Sequence, residues 1–106
     1  MSNIVILGAG SMGTAFSIPC SDRNHRVTIV GTFLENKFID FINKSKFHPV
    51  LKCKIPRNVN FVKFDQLNNS VNNKTKLIVI AVLSKGIEWA ALELSKVLKF
   101  NTPILI

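Results

Sequence analysis

Asn3-Ile4-Val5-Ile6-Leu7-Gly8-Ala9-Gly10-Ser11-Met12-Gly13 is the segment on which this chain's architecture turns. Asn3 to Leu7 is a short apolar run bounded by glycine, the pattern of a strand buried on both faces. Ser11 to Arg23 reads as a helix, with Met12, Ala15, Phe16 and Cys20 as its small and apolar side. Pro19 conflicts with that helix, because an interior proline costs roughly 3 kcal/mol. A bend or an irregular second half is expected there. Between strand and helix, Gly8, Gly10 and Gly13 follow the spacing Gly-x-Gly-x-x-Gly, in the context that gives the spacing a mechanism. Gly8 permits a sharp turn out of the strand. Gly10, without a Cβ, lets a pyrophosphate approach the backbone. Gly13 allows the helix to pack close to the strand. Free N–H groups near Ser11 and Met12 would donate to phosphate oxygens at the positive end of the helix dipole. The segment points to a bound dinucleotide; the plainer alternative is a tight turn with no ligand.

The rest of the chain repeats the alternation of strand and helix. Arg26 to Val30 reads as a second strand after a turn at Asn24-His25. Leu34 to Lys44 has helical spacing through Leu34, Phe38, Phe41 and Ile42, with Glu35 in the first turn and Lys44 in the last. Ser45 to Asn58 holds Pro49 and Pro56 and reads as a long connection. Val59 to Val62 is a short strand, and Phe64 to Asn73 at best a weak helix. Lys76 to Val82 is a β-branched run suited to the middle of a parallel sheet. Lys85 to Lys99 is amphipathic through Ile87, Ala90, Ala91, Leu94, Val97 and Leu98. Ile104 to Ile106 opens another strand. This order predicts an α/β fold, a doubly wound parallel sheet of the Rossmann type, incomplete at its C-terminal edge.

A dinucleotide site of this kind usually has an acidic residue about 20 positions on, at the end of the second strand, to hold the ribose hydroxyls. Val30-Gly31-Thr32-Phe33 has none; Thr32 is neutral, and no arginine stands there to meet a 2′-phosphate. Glu35 could swing in to that position, but reads first as a first-turn helix residue facing water. The sequence leaves NAD and NADP both open.

Length and composition bound the rest. The 106 residues suffice for one domain. Hydrophobic residues are 47% and charged residues 19%, a globular balance, and 14 Lys and Arg against 6 Asp and Glu give a net charge of +8. The longest apolar run, Leu77–Leu83, is too short to span a bilayer. The N-terminus lacks the basic region of a signal peptide. Cys20 and Cys53 have neither disulfide nor metal spacing, so a reducing, cytoplasmic setting is expected. Lys44, Lys46, Lys52, Lys54, Arg57 and Lys63 form a basic stretch, but without a recognition helix or aromatic stacking motif it reads as solvated lysines rather than a nucleic-acid surface. The closing Pro103-Ile104-Leu105-Ile106 resembles a buried strand left without partners. Residues 1–106 are accordingly expected to be the N-terminal part of a longer protein.

The chain resembles the N-terminal domain of the NAD(P)-dependent glycerol-3-phosphate dehydrogenases over essentially its whole length. The likeness rests on Ile6 to Ala15, Asn24 to Thr32, His48-Pro49-Val50-Leu51, Ile55 to Val59, Ile80 to Ser84 and Gly86 to Ala90. It implies an oxidoreductase that interconverts sn-glycerol 3-phosphate and dihydroxyacetone phosphate for phospholipid synthesis. Ser11 and Met12 would lie against the cofactor pyrophosphate and Thr32 near the adenosine end. Ala81, Val82 and Ser84 would line the nicotinamide side, with Leu83 replacing a proline common in the family. The family's catalytic lysines, in a segment after the fifth strand and in a helical C-terminal domain, have no counterpart in residues 1–106. The full-length family also implies a small phosphorylated substrate and allows a homodimer. A stand-alone dinucleotide-binding or redox-sensing module is the second reading. His25 reads as a surface residue, His48 as structural, Cys20 and Cys53 as small packed side chains, and Lys85 as a rim residue facing solvent.

Overall fold

The computed structural model describes residues 2–98 and 102–106, the side chain of Ser84 excepted. Its elements are β1 (Asn3–Leu7), α1 (Ser11–Asp22), β2 (Arg26–Val30), a 3-10 turn (Phe33–Glu35), α2 (Asn36–Ser45), β3 (Phe47–His48), β4 (Cys53–Lys54) and β5 (Val59–Val62). A second 3-10 turn (Phe64–Gln66), α3 (Leu67–Ser70), β6 (Thr75–Ile80), α4 (Ser84–Val97) and β7 (Ile104–Leu105) complete them. Lys99, where the last helix was expected to end, lies outside the described residues.

The main sheet runs β5-β2-β1-β6-β7, with every pairing parallel. From β1 the chain moves to one side for β2 and β5, then crosses back for β6 and β7. Such a reversal leaves a crevice at the carboxyl ends of the strands. In register, Leu7 stands opposite Val30 on one side and Ile80 on the other, so the turns after β1, β2 and β6 leave the sheet at one level.

Strand alternation divides the core into two layers. Ile4 and Ile6 join Val27, Ile29, Val59 and Phe61 under α1 and α2, where Ile39 and Ile42 are buried. Val5 and Leu7 face the opposite layer with Ile78, Ile80, Ala90 and Leu94 beneath α4. These strands are hydrophobic on both faces because helices cover both.

Four expectations need correction. First, α1 buries Gly13, Thr14, Ser17 and Ser21, whereas Met12 is 77% exposed and Ala15 also faces solvent. The small side chains let this helix sit close to the sheet. A Cβ on Gly13 would stand 2.5 Å from the Gly8 carbonyl oxygen and 3.1 Å from Ile6 Cγ2. The buried Ser17 hydroxyl donates to the Thr14 carbonyl at 2.6 Å, so it needs no partner across the interface. Second, α1 continues through Pro19. The exposed proline stands in the last turn, where its lost N–H removes one bond near the frayed end. Third, α2 starts after a 3-10 turn and buries Ile39 and Ile42, while Leu34 and Phe41 are exposed. Fourth, the long connection contains an antiparallel hairpin, with Phe47 opposite Lys54 and His48 opposite Cys53. Lys46, the C-cap that ends α2 ahead of β3, and Lys52, the last residue of the hairpin's loop, adopt positive φ.

Candidate functional site

Gly8 leaves β1 at φ +119°, and its N–H donates to the Val30 carbonyl at 2.8 Å. A side chain there would be strained, and its Cβ would collide with the Ala81 carbonyl oxygen. β6 ends at Ile80, earlier than expected, so Ala81 and Val82 belong to the turn that follows. Ala81 N–H donates to the Leu7 carbonyl at 2.8 Å, which ties that turn to the start of the glycine bend.

The Ala9 peptide is fixed on both sides. Its N–H donates to Glu35 Oε1 at 3.2 Å. Its carbonyl accepts from Thr14 Oγ1 at 3.3 Å and lies 3.2 Å from His48 Nε2. His48 is fully buried, and its Nδ1 accepts the Leu51 N–H at 3.2 Å. The ring proton therefore belongs on Nε2, which donates to Ala9. Phe38 packs edge-on against the imidazole, with ring centroids 5.3 Å apart. The small hairpin thus positions a histidine that holds the glycine bend in place.

Beyond Ala9 the main chain opens. Among the described residues, the N–H groups of Gly10, Ser11 and Met12 have no hydrogen-bond partner, and Gly10, the N-cap of α1, receives no side-chain cap. A Cβ on Gly10 would meet nothing within 4 Å. Gly8 and Gly13 are therefore required by packing, whereas at Gly10 the space left by the missing side chain is empty. Free amides at a helix start, beside that space, form an anion cradle.

The cradle opens into a cleft of about 880 Å³ at the carboxyl ends of β1, β2 and β6. Thr32, Phe33, Leu34 and Glu35 form the wall after β2; Ala81, Val82 and Leu83 form the wall after β6. Trp89 reaches in from α4, with its ring 5.3 Å from Phe33 and 5.1 Å from Phe64, centroid to centroid. Exposed Met12, Phe33, Leu34 and Leu83 make this rim apolar, at 56–86% exposure. Lys85, read as a solvent-facing residue, is exposed and also borders the cleft. A second groove of equal volume follows β5 past Asn43 and Asn60, but no part of the glycine turn borders it.

Of the residues expected at the site, Gly8, Gly10, Ser11, Met12, Thr32, Ala81 and Val82 border the cleft, and Gly13 lies behind it on the buried side of α1. Ser84 opens α4, and its side chain lies outside the described residues. Glu35, read first as facing water, takes the other course open to it: it turns into the site and accepts the Thr32 N–H at 2.8 Å. Thr32-Phe33-Leu34-Glu35 has the Thr-x-x-Glu form of a capping box, the signal that would have found it. Phe33, Leu34 and Trp89 carry no local signal for this location. His25 is not a free surface group either, because its Nδ1 accepts the Ser2 N–H at 3.1 Å. Cys20 and Cys53 are free thiols, and burial raises the pKa of Cys20.

A doubly wound parallel sheet with a glycine bend at its reversal point defines the class of dinucleotide-binding folds. Within that class, the chain matches the family described as NAD-dependent glycerol-3-phosphate dehydrogenase N-terminus over residues 3–106, and it belongs to that family. It is 31% identical over 84 residues to the NADP(+)-dependent glycerol-3-phosphate dehydrogenase of Archaeoglobus fulgidus, a match covering 79% of this chain and 24% of that protein. It is 29% identical over 105 residues to the NAD(P)+ glycerol-3-phosphate dehydrogenase of Halalkalibacterium halodurans, covering 99% of this chain and 29% of that one. The chain thus spans about a quarter of the length of these curated relatives. The crystal structure of glycerol-3-phosphate dehydrogenase from Coxiella burnetii superposes with a TM-score of 0.85 at 21% identity, over 97% of this chain and 31% of that one. A D-mandelate dehydrogenase solved with NADH and anilino(oxo)acetate shares the fold at TM-score 0.67 and 18% identity, over 96% of this chain and 31% of that one.

Proposed function

We propose that residues 1–106 are the cofactor-binding part of an oxidoreductase that interconverts sn-glycerol 3-phosphate and dihydroxyacetone phosphate for glycerophospholipid synthesis. The observation that carries this reading is the row of unpartnered amides beside the empty space at Gly10. The Ser11 and Met12 N–H groups hold the pyrophosphate of NAD or NADP there, with Gly8 and Gly13 shaping the bend. Thr32 borders the adenosine end. By the family resemblance, Ala81, Val82 and Ser84 would line the nicotinamide side of the crevice. When bound, the nicotinamide supplies hydride transfer. The proton on the substrate oxygen falls to lysines that the family resemblance places beyond these residues, along with the groups that grip the substrate phosphate. The 106 residues alone are therefore expected to bind cofactor weakly at best and to turn over no substrate. No helix among the described residues is long and apolar enough to cross a membrane, and a cytoplasmic setting suits the two free thiols.

The test uses Trp89, the one tryptophan of the chain, which borders the cleft. Energy transfer from its indole to a dihydronicotinamide reports binding during titration with NADH or NADPH. Saturable binding of at least one is expected. Gly10→Val should weaken that binding more than about tenfold while changing folding stability by no more than about 1 kcal/mol, because its side chain enters empty space. A flat titration with both cofactors, or undiminished binding by the valine variant, defeats the proposal.

A further inference from the structure

Resting on the dinucleotide reading above, we infer that this cleft selects NAD(H) over NADP(H), with Glu35 and Phe33 as the discriminating residues. The ribose that carries the distinguishing group would lie at the carboxyl end of β2, the position where this fold class places its ribose contact. Glu35 borders the cleft there, and its orientation is set by two main-chain donors on one oxygen: Oε1 accepts Thr32 N–H at 2.8 Å and Ala9 N–H at 3.2 Å. Among the described residues, Oε2 has no donor. A carboxylate so held can accept from ribose hydroxyls, which are donors. A 2′-phosphate offers only acceptor oxygens and like charge.

Among the residues that line the cleft, the wall after β2 offers that phosphate no cation. Thr32 is neutral, and Phe33 and Leu34 are apolar and exposed on the same wall. Phe33 is braced edge-on against Trp89, so an aromatic face occupies the position beside the carboxylate. Bringing a phosphate against these side chains would strip its water without supplying a cation. The cation that borders the cleft, Lys85, rises from the first turn of α4 on the wall after β6. The glycine cradle is indifferent to the choice, because the pyrophosphate is common to both cofactors.

Parallel titrations of the 106-residue chain with NADH and NADPH, read through Trp89, test this directly. NADH is expected to bind at least about tenfold more tightly. Glu35→Gln retains an oxygen to accept both amides and should bring the two affinities together. Phe33→Arg changes an exposed side chain and should reverse the order. Equal or tighter binding of NADPH by the native chain overturns the selectivity while leaving the dinucleotide reading intact. Selective loss of NADPH binding in Lys85→Gln also overturns it, since that lysine would then be serving the 2′-phosphate. Binding of neither cofactor would instead defeat the reading on which the inference rests.

Discussion

At Ala9, both halves of one peptide unit are held by side chains from distant parts of the chain. Glu35 takes the N–H, and His48, with Thr14, takes the carbonyl. The imidazole is the larger commitment, because it is fully buried and both ring nitrogens are engaged. His48→Phe keeps ring bulk but leaves the Leu51 N–H without its acceptor and removes one donor from Ala9. A loss of about 1–3 kcal/mol in urea unfolding is expected from the stranded polar groups. Amide exchange at Gly8, Ala9 and Thr14, whose N–H groups are bonded in the bend, should quicken in the same variant, because the peptide that anchors the bend is looser. Unchanged exchange would show that Thr14 and Glu35 suffice. The glycines were legible from spacing alone, whereas this clamp was not: neither Glu35 nor His48 has a local pattern that predicts a partner at Ala9.

Among the elements, α1 departs furthest from its sequence pattern. Hydrophobic spacing pointed to Met12, Ala15, Phe16 and Cys20; Phe16 and Cys20 do pack against the core, but Met12 and Ala15 are exposed and the buried positions are Gly13, Thr14, Ser17 and Ser21. Close approach to the sheet favours small side chains over large apolar ones, a choice that periodicity does not register. Pro19 adds a second tension within the same helix. Its ring denies the Ala15 carbonyl a donor, and the residue is exposed, so it contributes little packing. Pro19→Ala is expected to stabilise the chain by about 1–3 kcal/mol, the lower end reflecting its place in the last turn. Thermal unfolding measures this, and an unchanged or lowered midpoint would mean that proline's restriction of the unfolded chain outweighs the missing bond. The β3–β4 hairpin escaped the sequence because strands of two residues have no readable alternation. The left-handed positions that set it up, Lys46 at the end of α2 and Lys52 in the hairpin's loop, are lysines rather than glycines.

Across the molecule, a net charge of +8 is spread over a chain with few carboxylates. Lys63 and Asp40 pair at 3.1 Å across the α2–β5 side, and Lys96 pairs with Glu93 at 3.3 Å within α4. Both pairs are largely solvated and contribute little to stability. The surplus cations instead create a long-range field that draws in an anionic cofactor. Raising sodium chloride from about 20 to about 200 mM should weaken cofactor binding several-fold, chiefly by slowing association. Stopped-flow titration separates the two rates, and an association rate indifferent to salt would leave the amide cradle as the sole source of anion affinity.

The strands of the main sheet, their order with the helices and the three glycines could be read directly, because each rests on a local regularity: a continuous apolar run in a strand, periodicity along a helix, and the absence of Cβ at fixed spacing. Folding alone decided that Glu35 and His48, 26 and 39 positions from Ala9, would meet at its peptide group. It also brought Phe33 beside Trp89 and made Glu35 rather than Thr32 the polar group that reaches the glycine bend. Those placements depend on the level register of β1, β2 and β6 and on the hairpin that carries His48. They are long-range packing outcomes, and no short stretch of residues encodes them.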